Sequence, residues 1–138
     1  MNEIKSSQLI RFSLRLWGDR LNTQVVSIAL GIEPSYSYEK GHVKKLSSGK
    51  LSAPKKLGIW VFEAEVKFSF EDELISLLQK FSGEDLKDIE GVEIAILDIY
   101  FGVSDFESIL DESYECRLDN SSLLELNKLG LDVRITIT

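Results

Sequence analysis

The pattern of residues 10–33 constrains the fold more than any other feature of this chain. Apolar residues alternate with polar ones over residues 10–16, which is the period-two pattern of a strand with one buried face. A Gly-Asp turn follows, and Asn22 or Thr23 can cap a helix that ends at Gly31. The chain is therefore predicted to open with a strand, a tight turn and a short helix.

The rest of the chain predicts four further strands and two further helices. The strands are expected at residues 35–39, 57–68, 92–101 and 131–138, and the helices after Ser69 and after Asp119 or Asn120. This order predicts an α+β domain with a mostly antiparallel sheet and helices packed on one face. The first six elements have the β-α-β-β-α-β order of a ferredoxin-like unit, and a C-terminal α-β extension follows. Asp72 is expected to complete a capping box with Ser69.

Length and composition predict that residues 1–138 form a single domain, because 138 residues with 43% hydrophobic side chains can bury one core. Within it, residues 41–56 read as a long polar connection that is rich in lysine and contains Gly49 and Pro54. A connection of this length in a compact domain is often mobile or functional.

Charge is distributed unevenly along the chain. Residues 40–56 hold six lysines and no acidic residue, whereas residues 57–138 hold six basic and nineteen acidic residues, and the whole chain has a net charge of −7. A broad acidic surface repels phosphate backbones, so we expect no nucleic-acid partner. The same surface would speed encounter with a basic protein, or it would serve only to keep the protein soluble.

The compartment is predicted from the cysteine count and the apolar runs. The single cysteine, Cys116, cannot form an internal disulfide, which favours a reducing environment. The first residues lack the basic start and apolar run of a secretory signal. No apolar run approaches the roughly twenty residues of a membrane span. We therefore expect a cytoplasmic protein with no membrane association.

Residues with catalytic potential are few. His42 is the only histidine and stands in the lysine-rich connection, and with Cys116 it cannot supply the four ligands of a zinc site. The Ser48-Gly49-Lys50 triplet lacks the earlier glycine and the following Ser or Thr of a phosphate-binding loop. We expect no metal, no cofactor and no enzymatic activity. A hydrolase that uses two facing carboxylates is the third and weakest alternative.

Two surfaces are candidates for binding. The first is a cluster of carboxylates predicted to contact a protein partner: Asp105, Glu107, Asp111, Glu112, Glu115 and Asp119. On this hypothesis the chain is a non-enzymatic binding module, such as an immunity protein that neutralises a basic bacterial toxin through its acidic surface. The alternative is a small-ligand or anion-binding domain that uses Arg11, Arg15, the lysine-rich loop and Trp60 around a cleft.

The chain also resembles a bacterial family, the domain-of-unknown-function family 4279. The resemblance rests on Phe12, on Gly18-Asp19 with Leu21, on Leu30-Gly31-Ile32 with Pro34, and on Lys40-Gly41. A tryptophan strand at Ile59-Trp60 and a terminal Leu-Gly-Leu-Asp before an alternating strand extend the likeness over most of the chain. The family implies no established active site, so the resemblance assigns no catalytic residue.

Overall fold

The computed structural model describes residues 8–81, 85–103 and 116–137. In chain order, its elements are β1 (Gln8–Gly18), α1 (Thr23–Leu30), β2 (Tyr36–Tyr38), β3 (Gly58–Glu65), α2 (Phe70–Lys80), β4 (Ile94–Val103), α3 (Asn120–Lys128) and β5 (Asp132–Ile137). A 3₁₀ turn at Leu86–Asp88 precedes β4. The described part of the chain is thus an α+β fold with five strands and three helices, as predicted.

The five strands form one mixed sheet in the order β2-β3-β1-β4-β5. Three neighbouring pairs are antiparallel, and β4 and β5 are parallel. The sheet is therefore mostly antiparallel, as predicted, but it is mixed because the pair at this edge is parallel. The chain leaves β4, passes through α3 and runs into β5 in the same direction, which is the crossover that a parallel pair requires.

The core lies on one side of this sheet. Every second residue of β1 is buried there, namely Ile10, Phe12, Leu14 and Leu16. The strand register places Trp60 of β3 and Leu97 of β4 on the same side. All three helices add side chains to this cluster, among them Val26, Leu74 and Leu126. The described helices therefore pack on one face of the sheet.

The ends of α1 are set by local residues, as predicted. The Asn22 side chain accepts hydrogen bonds from the backbone N–H groups of Gln24 and Val25. Gly31 ends the helix in the left-handed conformation, with φ of 69°, a conformation that glycine adopts without a steric penalty. Of the two predicted caps, Asn22 is therefore the one that the chain uses.

The capping box predicted for α2 uses a different carboxylate. Ser69 caps the helix, and its hydroxyl accepts a hydrogen bond from the N–H of Asp72. The return contact comes from Glu73, one residue later, whose carboxylate accepts from the N–H groups of Lys67, Phe68 and Ser69. The prediction that Asp72 completes the capping box was therefore wrong.

The lysine-rich segment 41–56 is a hairpin and not an irregular loop. Its two arms exchange backbone hydrogen bonds, including Gly41 N to Lys55 O and Ser52 N to Lys44 O, and an antiparallel bridge joins Lys45 to Leu51. The ladder continues beyond β2 and β3, so this lysine hairpin extends one edge of the sheet into solvent. Sequence reasoning missed it because few of its side chains alternate in polarity.

Among the described residues, no helix is both long enough and apolar enough to cross a bilayer.

Candidate functional site

None of the three described helices packs on the other side of the sheet, which we call the open face, although Ser13, Val61 and Asp98 on this side are at most 6% exposed. Strand register assigns its residues, because neighbours paired across strands point the same way. The large or charged side chains of the open face are Leu9, Arg11, Arg15, Trp17, Tyr36, Tyr38, Ile59, Val61, Glu63, Glu65, Ile94, Ile96, Asp98, Tyr100, Asp132 and Arg134.

Ser13 lies at the centre of the open face and is 4% exposed. Its hydroxyl oxygen accepts a hydrogen bond of 3.2 Å from Nε of Arg15. Arg11 lies two residues away on the same strand, with Nε 3.9 Å from a carboxylate oxygen of Glu63 and its guanidinium 6.0 Å from the ring centre of Tyr100. The two arginines are therefore held in place by neighbours while their charge still faces solvent.

Asp98, on β4 beside Ser13, anchors the other half of the open face. It is 6% exposed and accepts hydrogen bonds from Nε and Nη2 of Arg134, at 3.2 and 2.8 Å. The hydroxyl of Thr136 donates to its second oxygen at 3.1 Å. A buried carboxylate without such partners would be strongly destabilising, so this network fixes β5 against β4.

Three aromatic side chains occupy the end of the open face near the lysine hairpin. Tyr36 and Tyr38 lie 6.0 Å apart between ring centres on β2. Tyr38 also contacts the ring of His42 at 5.1 Å and the ammonium of Lys55 at 4.9 Å, so it joins the open face to the hairpin. Trp17 is half-buried, and its Nε1 has no hydrogen-bond acceptor among the described residues.

The lysine hairpin adds exposed charge and exposed apolar surface to this end. All of its residues are exposed except Ser52, which is half-buried. Leu46 and Leu51 near its tip are 44% and 69% exposed. Lys40, at its base, makes a 2.6 Å ion pair with Asp19. This contact holds the pKa of Asp19 below its usual value.

The ligand cleft predicted around Arg11, Arg15 and Trp60 is not formed. Trp60 points into the core, is 0% exposed, and donates through Nε1 to the hydroxyl of Ser27 at 3.0 Å. Phe62 shares its side of the strand and packs against the core cluster. Alternation along β3 puts both on the face opposite the arginines. The prediction for Trp60 was therefore wrong, and only the two arginines share the open face.

The predicted acidic cluster can be placed only at its last member. Asp119 caps α3, where its carboxylate accepts a 2.9 Å hydrogen bond from the N–H of Ser122, and hydrogen bonding to Ser122 lowers the pKa of Asp119. This residue therefore has a structural role at the helix end. The other members, Asp105, Glu107, Asp111, Glu112 and Glu115, lie outside the described residues.

Residues with catalytic potential do not gather on the described surface. Burial, with a smaller contribution from the charge of Glu71, raises the pKa of the Cys116 thiol, which makes it a poor nucleophile. Among the described residues no three His, Cys, Asp or Glu side chains come together in a way that could hold a metal ion. Glu63 and Asp98 lie on either side of Ser13, but each carboxylate faces an arginine across an open sheet.

An open depression of about 570 Å³ lies between the start of α1 and the loop before β4. Sequence reasoning assigned no binding or catalytic role to any of the residues that line it. Its charged side chains are of both signs, with Arg20 and Lys87 beside Asp88, Glu90 and Glu93. Mixed charges of this kind indicate no particular ligand class, and no linear motif marks the depression.

Comparison with known proteins identifies the family of this chain but no reaction or ligand. A family model described as Domain of unknown function (DUF4279) matches residues 8–138. Neither the curated proteins nor the solved structures contain a match to the chain. The matched range spans the strands and helices described above, including the open face and the lysine hairpin. The chain therefore belongs to the DUF4279 family, as its opening and terminal motifs predicted.

Proposed function

We propose that this chain is a non-enzymatic protein-binding module and that its binding surface is the open face together with the lysine hairpin. The observation that carries the proposal is the composition of one continuous surface: Trp17, Tyr36 and Tyr38 lie on the same side of the sheet as three arginines. Tryptophan, tyrosine and arginine are the residue types that contribute most binding energy at protein interfaces.

The open face is also arranged before any partner arrives. Arg15 is held by Ser13, Arg11 by Glu63 and Tyr100, and Arg134 by Asp98. Side chains already fixed lose less conformational freedom on binding, which improves affinity. Arg11 and Arg134 remain 42% and 46% exposed, so their charge is available to a partner.

The exposure and charge of the lysine hairpin also support the proposal. It is ordered by backbone hydrogen bonds, yet almost none of its side chains is buried by its own chain. Its lysines would steer an acidic protein surface toward the aromatic end of the open face. Leu46 and Leu51 would then supply apolar contact at the tip.

For the identity of the partner we retain the proposal of a toxin, with this chain as its cytoplasmic immunity protein. The net charge of −7 and the absence of an internal disulfide support that setting. A toxin with a basic surface would bind the acidic residues 105–115 of this chain. A toxin with an acidic surface would bind the open face. The two versions therefore make opposite predictions about which residues matter.

The test separates these versions by mutation. Partners are captured with the full chain in its source organism, identified, purified and titrated against four proteins by calorimetry. These are the wild type, Arg15→Ala with Tyr38→Ala on the open face, an acidic set with Asp105, Glu107, Asp111 and Glu112 changed to amides, and Arg117→Ala. The last is a matched control, because Arg117 is an exposed arginine whose ion pair is with Glu71 of α2.

The open-face variant is expected to weaken binding by about tenfold or more, since loss of interface anchors typically costs that much. The acidic set and Arg117→Ala are expected to bind as the wild type does. If only the acidic set weakens binding, the acidic-surface version is correct and the open face is not the site. If no protein binds directly, the binding-module proposal fails.

The finer topology is part of the same proposal. We infer that β1, α1, β2, β3, α2 and β4 form a ferredoxin-like unit, supported by their order along the chain and by the antiparallel pairings of β2, β3, β1 and β4. On this view α3 and β5 are additions at one edge.

A further inference from the structure

The edge strand β5 carries a row of apolar side chains that its own chain leaves exposed. Val133, Ile135 and Ile137 are 37%, 58% and 71% exposed. Register with Leu97, Ile99 and Phe101 of β4 places this row on the core side of the sheet. It lies beyond the helices, whose buried side chains cover β1, β3 and β4. The row is therefore on the side opposite the open face.

The sequence of β5 has the pattern of a half-buried strand. Val133, Ile135 and Ile137 alternate with Asp132, Arg134 and Thr136. Strands of this kind normally bury their apolar side, and burying a Val or Ile side chain is strongly favourable. The same pattern in β1 is satisfied, because its core-side residues Ile10, Phe12, Leu14 and Leu16 are at most 5% exposed. The apolar side of β5 thus lacks a cover within the described chain.

The two edges of the sheet differ in their protection. The β2 edge is only three residues long and continues into the lysine hairpin. Short strands and lysines are the usual devices that stop an edge from pairing with another chain. β5 has six residues and contains neither lysine nor proline. Among the described strands, it is the edge that remains able to add a strand.

We propose that β5 pairs antiparallel with β5 of a second copy of this chain, forming a two-fold dimer with a continuous ten-stranded sheet. The two-fold axis passes through Ile135, so that Ile135 meets Ile135 of the second copy and Val133 meets Ile137. A surface that pairs with itself must be self-complementary, and this row is. The dimer is independent of the proposed function, because it leaves the open face free.

Charge selects this register over the one centred on Arg134. Two antiparallel registers both keep the apolar rows of the two strands on the same face only if they differ by two residues. With the axis at Ile135, Arg134 lies opposite Thr136 of the second copy. With the axis at Arg134, two guanidinium groups would face each other, which is unfavourable.

The first test is the oligomeric state of the full chain across a wide range of concentration, by analytical ultracentrifugation. We expect a monomer-dimer equilibrium, and Ile135→Lys should raise its Kd by about tenfold or more. Ile28→Lys is the matched control, because Ile28 is 81% exposed on α1, away from β5. A monomer at every concentration overturns the proposal and leaves another protein or another segment as the cover for β5.

The second test does not depend on a destabilising change. In a Cys116→Ser background, Ile135→Cys should form a disulfide-linked dimer on mild oxidation, because antiparallel neighbours have Cα atoms about 4.5–5.5 Å apart, within disulfide range. Val133→Cys alone should not cross-link, but it should do so when mixed with Ile137→Cys. Efficient cross-linking of Val133→Cys with itself would contradict the register.

The salt dependence of association distinguishes this apolar dimer from a dimer held by charge. Each copy has a net charge of −7, so two copies repel and added salt should tighten an apolar β5 dimer. Association of the lysine hairpin with an acidic surface of another copy would weaken in salt. A dimer that dissociates with added salt and is unaffected by Ile135→Lys would show that β5 is not the interface.

Discussion

Gly18, at the end of β1, shows how one missing side chain sets the distance between two parts of the chain. A Cβ at this position would overlap the carbonyl oxygen of Gly91, in the turn before β4. The adjacent Trp17 carbonyl accepts a 2.8 Å hydrogen bond from Glu93 N, which keeps the two segments together. The Gly-Asp pair, predicted only as a turn signal, therefore also permits a close backbone contact.

Gly18→Ala is expected to destabilise the protein by about 2–3 kcal/mol, because the obstacle is backbone that cannot rotate away. Urea denaturation of both proteins measures the difference. Gly102→Ala is the control, since a Cβ there would meet chiefly the end of the Tyr100 side chain, which can move. Equal effects of the two substitutions would show that the contact with Gly91 does not constrain the fold.

At the scale of elements, the sequence predicted each described helix and strand to within a few residues, but not which partners complete them. The N-terminus of α2 is an example. Ser69 was identified from local pattern, whereas the carboxylate of Glu73 reaches back to three backbone N–H groups of a bend that no linear pattern specifies. Partial burial raises the pKa of Glu73, but the three hydrogen bonds lower it by more. The net result is a pKa below the ordinary value of 4.5.

Glu73→Gln is expected to cost about 1 kcal/mol of stability at pH 7, as loss of a charged cap does at a largely solvated position. A folded-state pKa below the unfolded one gives stability that is complete above the ordinary pKa of 4.5 and is lost as the pH falls through the folded value. Denaturation at pH 7 and pH 3 should therefore show the wild-type advantage shrinking in acid.

Asp72→Asn is the matched control for that experiment. Asp72 stands in the same helical turn, and its carboxylate accepts no hydrogen bond within the described part of the chain. It should lose only the small interaction with the helix dipole. If the two variants are equally destabilised at pH 7, the reach of Glu73 across the bend contributes nothing specific.

At the scale of the whole molecule, the lysine hairpin stands apart from the core. Replacing residues 44–52 by Asn-Gly should change the free energy of unfolding by less than about 1 kcal/mol, because no core side chain is removed and the loop becomes shorter. On the binding proposal, the shortened chain should also bind its partner more weakly. Loss of cooperative unfolding would mean that the hairpin is needed for folding. Urea denaturation and calorimetry measure the two effects.

The sequence by itself determined the α+β class, the family, the start of α1 and of α3 to within one residue, and the apolar stripes of β1 and α2. These depend on contacts between residues close in the chain or on a repeating polarity, both of which are readable along a line. The sequence did not determine the buried side of α1, where Val26 is 0% exposed and the expected Ile28 is 81% exposed. Only the tertiary structure decided that Trp60 and Arg15 point to opposite sides, that β5 runs parallel to β4, and that its apolar row lies uncovered at an edge. Register between strands and the extent of helix coverage arise from contacts between distant residues, and local sequence does not encode them.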